Sequence, residues 1–93
     1  MKNLFAVVRQ VQEVKTFKSK TGGEDFKKQI IIVESLEKNT PYPIEFENAN
    51  IELLKDILLG HEVKIKHYIK GKYDPNDRTK VYSSFIGTEI TIV

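Results

Sequence analysis

Only one stretch of this chain has helical spacing, and its position constrains the fold more than any other feature. In residues 48–60, NANIELLKDILLG, Ile51, Leu54 and Leu58 recur on one face, with Leu53 and Ile57 beside them. Asn48 or Asn50 can cap the start, and Gly60 can stop the helix. The rest of the chain reads as strand and turn. Residues 4–17 are rich in Val and Phe with polar residues between them. FKKQIIIVES, residues 26–35, contains four consecutive β-branched side chains, too short a run for a helix. In YPIEFE, residues 42–47, Tyr42, Ile44 and Phe46 alternate with Pro43, Glu45 and Glu47; the proline suits an edge, or a strand that begins after it. After the helix, Val63, Ile65, His67 and Ile69 alternate with Lys64, Lys66, Tyr68 and Lys70, and a last strand runs from Lys80 to the end.

Three strands, one helix and two strands predict an all-β domain with one helix. The best fit is a five-stranded OB-fold, a Greek-key barrel with its helix between strands 3 and 4. The Ile/Leu face of the helix then plugs one barrel end. The SH3-like barrel competes, but it usually lacks a three-turn helix at that point. In an OB-fold the 1–2 and 4–5 loops flank a groove across strands 2 and 3. Ninety-three residues suffice for one such domain, residues 1–93. The chain has no cysteine, which removes disulfides and thiolate chemistry and suits a reducing compartment. MKNLFAVVRQVQ has no small-residue cleavage site, and no apolar run approaches the roughly 20 residues of a membrane span. The expectation is a soluble, cytoplasmic protein.

The two loops that flank such a groove are the ones that concentrate charge. Residues 1–29 carry seven basic and three acidic side chains, residues 30–59 two and six, and residues 60–93 six and four. A basic face opposite an acidic one can steer a polyanion even at low net charge; a solvated surface of mixed sign is the alternative. Lys18, Lys20, Lys27 and Lys28 lie in or beside the first loop, where Gly22 and Gly23 supply a tight or mobile turn. Lys70, Lys72, Arg78 and Lys80 lie in or beside the second. Phe17, Phe26, Tyr68, Tyr73 and Tyr82 are interleaved with them. Cations for phosphates and flat rings for bases are what a single-stranded nucleic acid requires of a protein. Lys64 and Lys66 share the strand face of Tyr68 and Lys70 and complete the candidate set.

Each ring also has a plainer reading. Phe17 and Phe26 can cap the barrel mouth, and Tyr42 and Phe46 share a face with Ile44 and suit the core. Tyr73, in a loop after Gly71-Lys72, is the first choice for stacking, and Tyr68 suits the surface. If Ile31 and Val33 point inward, Ile30 and Ile32 point outward and suit an interface, predicting a homodimer or tetramer. Enzyme and metal signals are missing. Gly22-Gly23 lacks the spacing of a phosphate-binding loop, and DPNDRT lacks the carboxylate pattern and central glycine of a calcium loop. His61 and His67 lie six residues apart without a third ligand, and suit a turn and the barrel lining. Glu45 and Glu47 read as solvent-facing. No cofactor is expected.

TFKSKTGGEDFKKQIIIVE, the Tyr42-Pro43 pair with Phe46, GHEVKI followed by YIKGKY, and KVYSS together resemble a family of small bacterial OB-fold proteins of unknown function. The resemblance spans roughly residues 16–85. By position, Ser19, Lys20, Gly23, Phe26, Lys27, Lys28 and Gln29 match the family's loop and second strand, and Gly60, Val63, Gly71 and Tyr73 its later motif. The family is similar in fold to single-stranded DNA-binding proteins, and the resemblance implies nucleic-acid binding. Phe26 stands where the family more often has Trp, which weakens stacking there. A ring often found late in the last strand is replaced by Thr88 or a neighbour. The chain ends TEITIV, not in the acidic tail by which classical single-stranded DNA-binding proteins recruit partners.

The resulting expectation is a non-enzymatic protein that binds single-stranded DNA, or alternatively RNA, largely without sequence preference, in replication, recombination or repair. The competing expectation is an OB module for protein interaction or oligomerisation that binds no nucleic acid. Fold alone does not choose between them.

Overall fold

A computed structural model describes residues 2–93, and among them forms six strands and one short helical segment. The strands are Lys2–Val11 (β1), Lys15–Phe17 (β2), Phe26–Ser35 (β3), Pro41–Glu47 (β4), Glu62–Tyr73 (β5) and Val81–Ile92 (β6). The helical segment, Asn48–Leu54, joins β4 to β5. The chain is therefore mostly β with a single short helix, as its patterning predicts.

The strands form one sheet in the order β1-β5-β6-β4-β3-β2. All pairings are antiparallel except β4 with β6, which run parallel with Ile44 opposite Phe85 and Glu45 opposite Ile86. β1 pairs with β5 through residues 2–7 and with β3 through residues 6–11, so both of its edges are hydrogen-bonded. A register shift between Val8 and Gln10 lets β1 bend from one neighbour to the other.

Alternation places Ala6 and Val8, Ile31 and Val33, Ile44 and Phe46, and Val63 and Ile65 in one buried cluster, which Leu54 and Ile57 close from the connector. Ile31 and Val33 do point inward; Ile30 and Ile32 lie on the other face and are half-buried rather than open. Phe46 is fully buried, and its ring lies against Gly87, where an added Cβ would overlap the ring carbons. Only glycine leaves room for that ring. Tyr42 is half-buried and meets Phe85 edge-on at 5.5 Å.

Two expectations need correction. The predicted first strand, residues 4–17, is two strands, giving six rather than five. The chain leaves β1 after Val11, and residues 15–17 pair only with the start of β3. The predicted three-turn α-helix is a seven-residue 3₁₀ segment followed by turns. Asn48 does not cap it: Asn48 Oδ1 accepts the Lys27 N–H at 3.0 Å, and Asn48 itself has φ of 50°. Its side chain is spent on holding β3. The expected five-residue apolar face is likewise partial, with Leu53 and Leu58 exposed. Gly60 does not end the segment, which stops at Leu54 with Lys55 as its C-cap; it sits in the later turn, at φ of 88°, and its N–H donates to the Val8 carbonyl at 2.8 Å. Among the described residues no helix is long and apolar enough to cross a membrane.

Candidate nucleic-acid interface

Register and alternation decide which predicted residues share a face. Phe17 lies opposite Phe26 and Lys15 opposite Lys28. Lys28 lies opposite Glu47 and Ile30 opposite Glu45. Glu45 meets Ile86 across the parallel pair, and Ile86, Ser84 and Tyr82 face Tyr68, Lys70 and Lys72. Side chains on directly paired residues point the same way. One outer surface thus runs from Phe17 and Phe26 on β2 and β3, over β4, to Tyr68, Lys70, Lys72 and Tyr82 on β5 and β6. It contains a groove of about 290 Å³ lined by Phe26, Lys28, Glu45, Glu47, Lys70, Lys72, Ser84 and Ile86.

The groove has rings at its margins and cations on both walls. The Phe17 and Phe26 rings stand 6.1 Å apart and tilted by 46°. Lys28 Nζ lies 5.4 Å from the Phe17 ring centroid and 3.0 Å from Glu45 Oε1. On the other wall Lys70 Nζ lies 3.8 Å from Glu47 Oε2. The Tyr82 hydroxyl donates to Asp74 Oδ2 at 2.9 Å, which fixes that ring at the groove end of the hairpin. Glu45 and Glu47, read from sequence as solvent-facing, are mostly covered, with side chains 13% and 20% exposed. The sequence offered no signal for this beyond their phase opposite Ile44 and Phe46. The parallel β4–β6 pairing, which is not legible locally, puts them on the groove floor.

Other predicted residues stand apart from the groove. Tyr73 lies opposite Val81 and on the reverse face of the β5–β6 hairpin, where the Arg78 guanidinium sits 5.1 Å from its ring centroid. It is the last residue of β5 rather than a loop residue. Lys64 and Lys66 lie near the start of β5, and Lys66 is paired with Glu89 at 3.4 Å. Lys27 turns to a wider opening of about 800 Å³ shared with Glu24, Asp25 and Glu52. Lys18, Lys20 and Lys80 are exposed in the two loops.

Both loops are tied to themselves. In the first, the Ser19 N–H donates to Asp25 Oδ1 at 3.2 Å and the Gly23 N–H to Ser19 Oγ at 3.2 Å. Gly22 alone supplies the positive φ, 80°. In the second, the Asn76 and Asp77 N–H groups donate to Asp74 Oδ1 at 2.8 and 3.1 Å, and Thr79 donates to Asp77 through its N–H and hydroxyl. The Asn76 N–H and the Tyr82 hydroxyl hold the Asp74 carboxyl below its ordinary value, and Thr79 does the same for Asp77.

His61 and His67 occupy the turn and lining positions expected of them. His61 Nδ1 accepts the Leu58 N–H at 3.1 Å. His67 is 8% exposed, meets Phe85 edge-on at 5.8 Å, and its buried Nδ1 has no hydrogen-bond partner among the described residues. Among those residues no group of three or more His, Cys, Asp or Glu is placed to hold a metal ion. Comparison with known proteins finds no matching family model, no matching curated protein and no matching solved structure.

Proposed function

We propose that this chain is an OB-fold protein that binds single-stranded nucleic acid, DNA in the first instance, across the outer face of β3, β4, β5 and β6. The fold assignment rests on the pairing scheme. β1 reaches both β3 and β5, β4 and β6 run parallel, and the helical segment separates the third long strand from the fourth. β2 is then the continuation of a first strand broken after Val11.

One observation carries the functional reading. Phe17, Phe26, Lys28, Tyr68, Lys70, Lys72 and Tyr82 come from four strands and meet on one face around a groove. Rings accept bases and cations accept phosphates, with little demand on sequence. The role proposed with it is to protect or present a single strand in replication, recombination or repair. The test is a salt titration of binding to a labelled mixed-sequence single strand. Counterion release requires log K to fall with log salt at about −0.7 per phosphate neutralised. Absence of binding at low salt removes this reading.

A second reading, a protein-interaction or self-assembling module without nucleic-acid binding, is favoured by the reverse face of the hairpin. There Ile69, Tyr73 and Val81 are 54%, 57% and 58% exposed. A homodimer or tetramer built on that face accommodates both readings, because it leaves the groove open. Light scattering that returns only the 10.8 kDa monomer at high micromolar concentration removes the assembly.

A further inference from the structure

The groove that presents cations at its walls presents carboxylates at its floor, and the two have different consequences for a bound strand. Glu45 and Glu47 line the groove with Lys28, Lys70 and Lys72, each glutamate is ion-paired to one of these lysines, and both are mostly covered. Lys28 takes one oxygen of Glu45, and among the described residues Glu47 has only the long contact of 3.8 Å to Lys70. A carboxylate can accept about four hydrogen bonds and donates none while ionised. The floor therefore holds acceptor capacity that the protein leaves unfilled, beside the nearly buried side chain of Ile86.

A strand in this groove would keep its phosphates towards the lysines at the walls and away from the carboxylates, and bases stacked on the rings would meet the glutamates edge-on. A base edge that donates is matched there, and one that only offers a carbonyl is opposed. Cytosine N4 is a donor where thymine has the O4 acceptor, and carboxylates pair with the former.

We propose that Glu45 and Glu47 make the groove selective for bases with exocyclic amino groups, so that it binds cytosine-rich single strands more tightly than thymine-rich ones. This rests on the reading of the groove as a single-strand site, and it adds a preference that rings and lysines alone do not produce. Cytosine and thymine stack comparably and carry the same phosphates, so the difference isolates the base edge.

The experiment measures fluorescence anisotropy of labelled dC and dT 30-mers at low salt and pH 7.5, with the parent protein and the Glu45→Gln and Glu47→Gln variants. The parent is expected to hold dC about fivefold more tightly than dT, the low end of a base-edge contact. In the variants the amide both donates and accepts, so dT should gain more than dC and the ratio should fall towards one. Each variant's melting temperature serves as the folding control, and a variant that unfolds leaves the other to decide. Equal binding of dC and dT by the parent, or a ratio unchanged in both variants, overturns the selectivity while the single-strand reading stands. Failure of both strands to bind at low salt removes that reading and this inference with it.

Discussion

The Arg78 guanidinium lies 5.1 Å from the centre of the Tyr73 ring, on the face of the β5–β6 hairpin that turns away from Lys70 and Lys72. The ring that looked best placed for stacking is thus already engaged, and the groove draws its rings from elsewhere. Phe26 lines it, and Tyr68 and Tyr82 share its face. Phe26→Ala and Tyr68→Ala should each weaken single-strand binding by about 1–3 kcal/mol, the usual worth of one base stack. Tyr73→Ala should change affinity much less. Anisotropy titrations of the three variants against one mixed-sequence strand check the order, and a larger loss for Tyr73→Ala would route the strand over the reverse face.

The lysines divide in the same way. Lys28, Lys70 and Lys72 line the groove, whereas Lys64 and Lys66 sit near the other end of β5. Replacing the first three with Ala should flatten the log–log salt slope by up to about 0.7 for each phosphate no longer neutralised. Replacing Lys64 and Lys66 should leave the slope near the parent value. Equal flattening by both sets would mean a diffuse electrostatic surface in place of a groove.

Gly87 is the most closely approached of the five glycines, since a methyl group there would overlap the Phe46 ring. Gly87→Ala should cost about 1–3 kcal/mol, the usual range for overpacking a filled core. Chemical denaturation of the variant gives that number. The double variant Gly87→Ala with Phe46→Leu should recover part of the loss, because the clash is between those two residues. A double variant no more stable than Gly87→Ala would place the strain elsewhere.

His67 links stability to pH. Burial lowers its pKa from the ordinary 6.5, the backbone at Ile65 works in the opposite direction, and the positive charge of Lys2 lowers it further. The unfolded chain therefore binds a proton more readily than the folded one. Stability is complete above about pH 6.5 and falls as pH drops through the folded value. Melting temperatures at pH 7.5 and 5.5 should differ for the parent, and His67→Leu should narrow the difference. An unchanged difference would assign the acid sensitivity to carboxylates instead.

The later strands, the place of the single helical interruption and the shared face of Ile44 with Phe46 and of Val63 with Ile65 were written in local alternation. Alternation also grouped Ile31 with Val33 but left open whether that pair or Ile30 and Ile32 faced inward, which packing decided. A two-residue period needs no tertiary information to be read, because neighbouring side chains must point to opposite faces. Turn glycines were legible for a similar reason: Gly22 and Gly60 adopt the positive φ that favours their type. Three further features were decided only by the folded chain. The helix is a 3₁₀ segment, and the cap expected of Asn48 is lost because its side chain bonds across to Lys27, a partner 21 residues away in sequence. Residues 4–17 broke in two because residues 12–14 interrupt the ladder with β3, which runs to Val11 opposite Ile31 and resumes at Lys15 opposite Lys28. The parallel contact between β4 and β6 carried Glu45 and Glu47 onto the floor of a basic groove, and the register of β5 with β6 sent Tyr73 to the reverse face. Alternation tells which residues share a side of one strand. Which strands lie beside each other is set by pairing over long sequence distances, and the composition of a surface site depends on that.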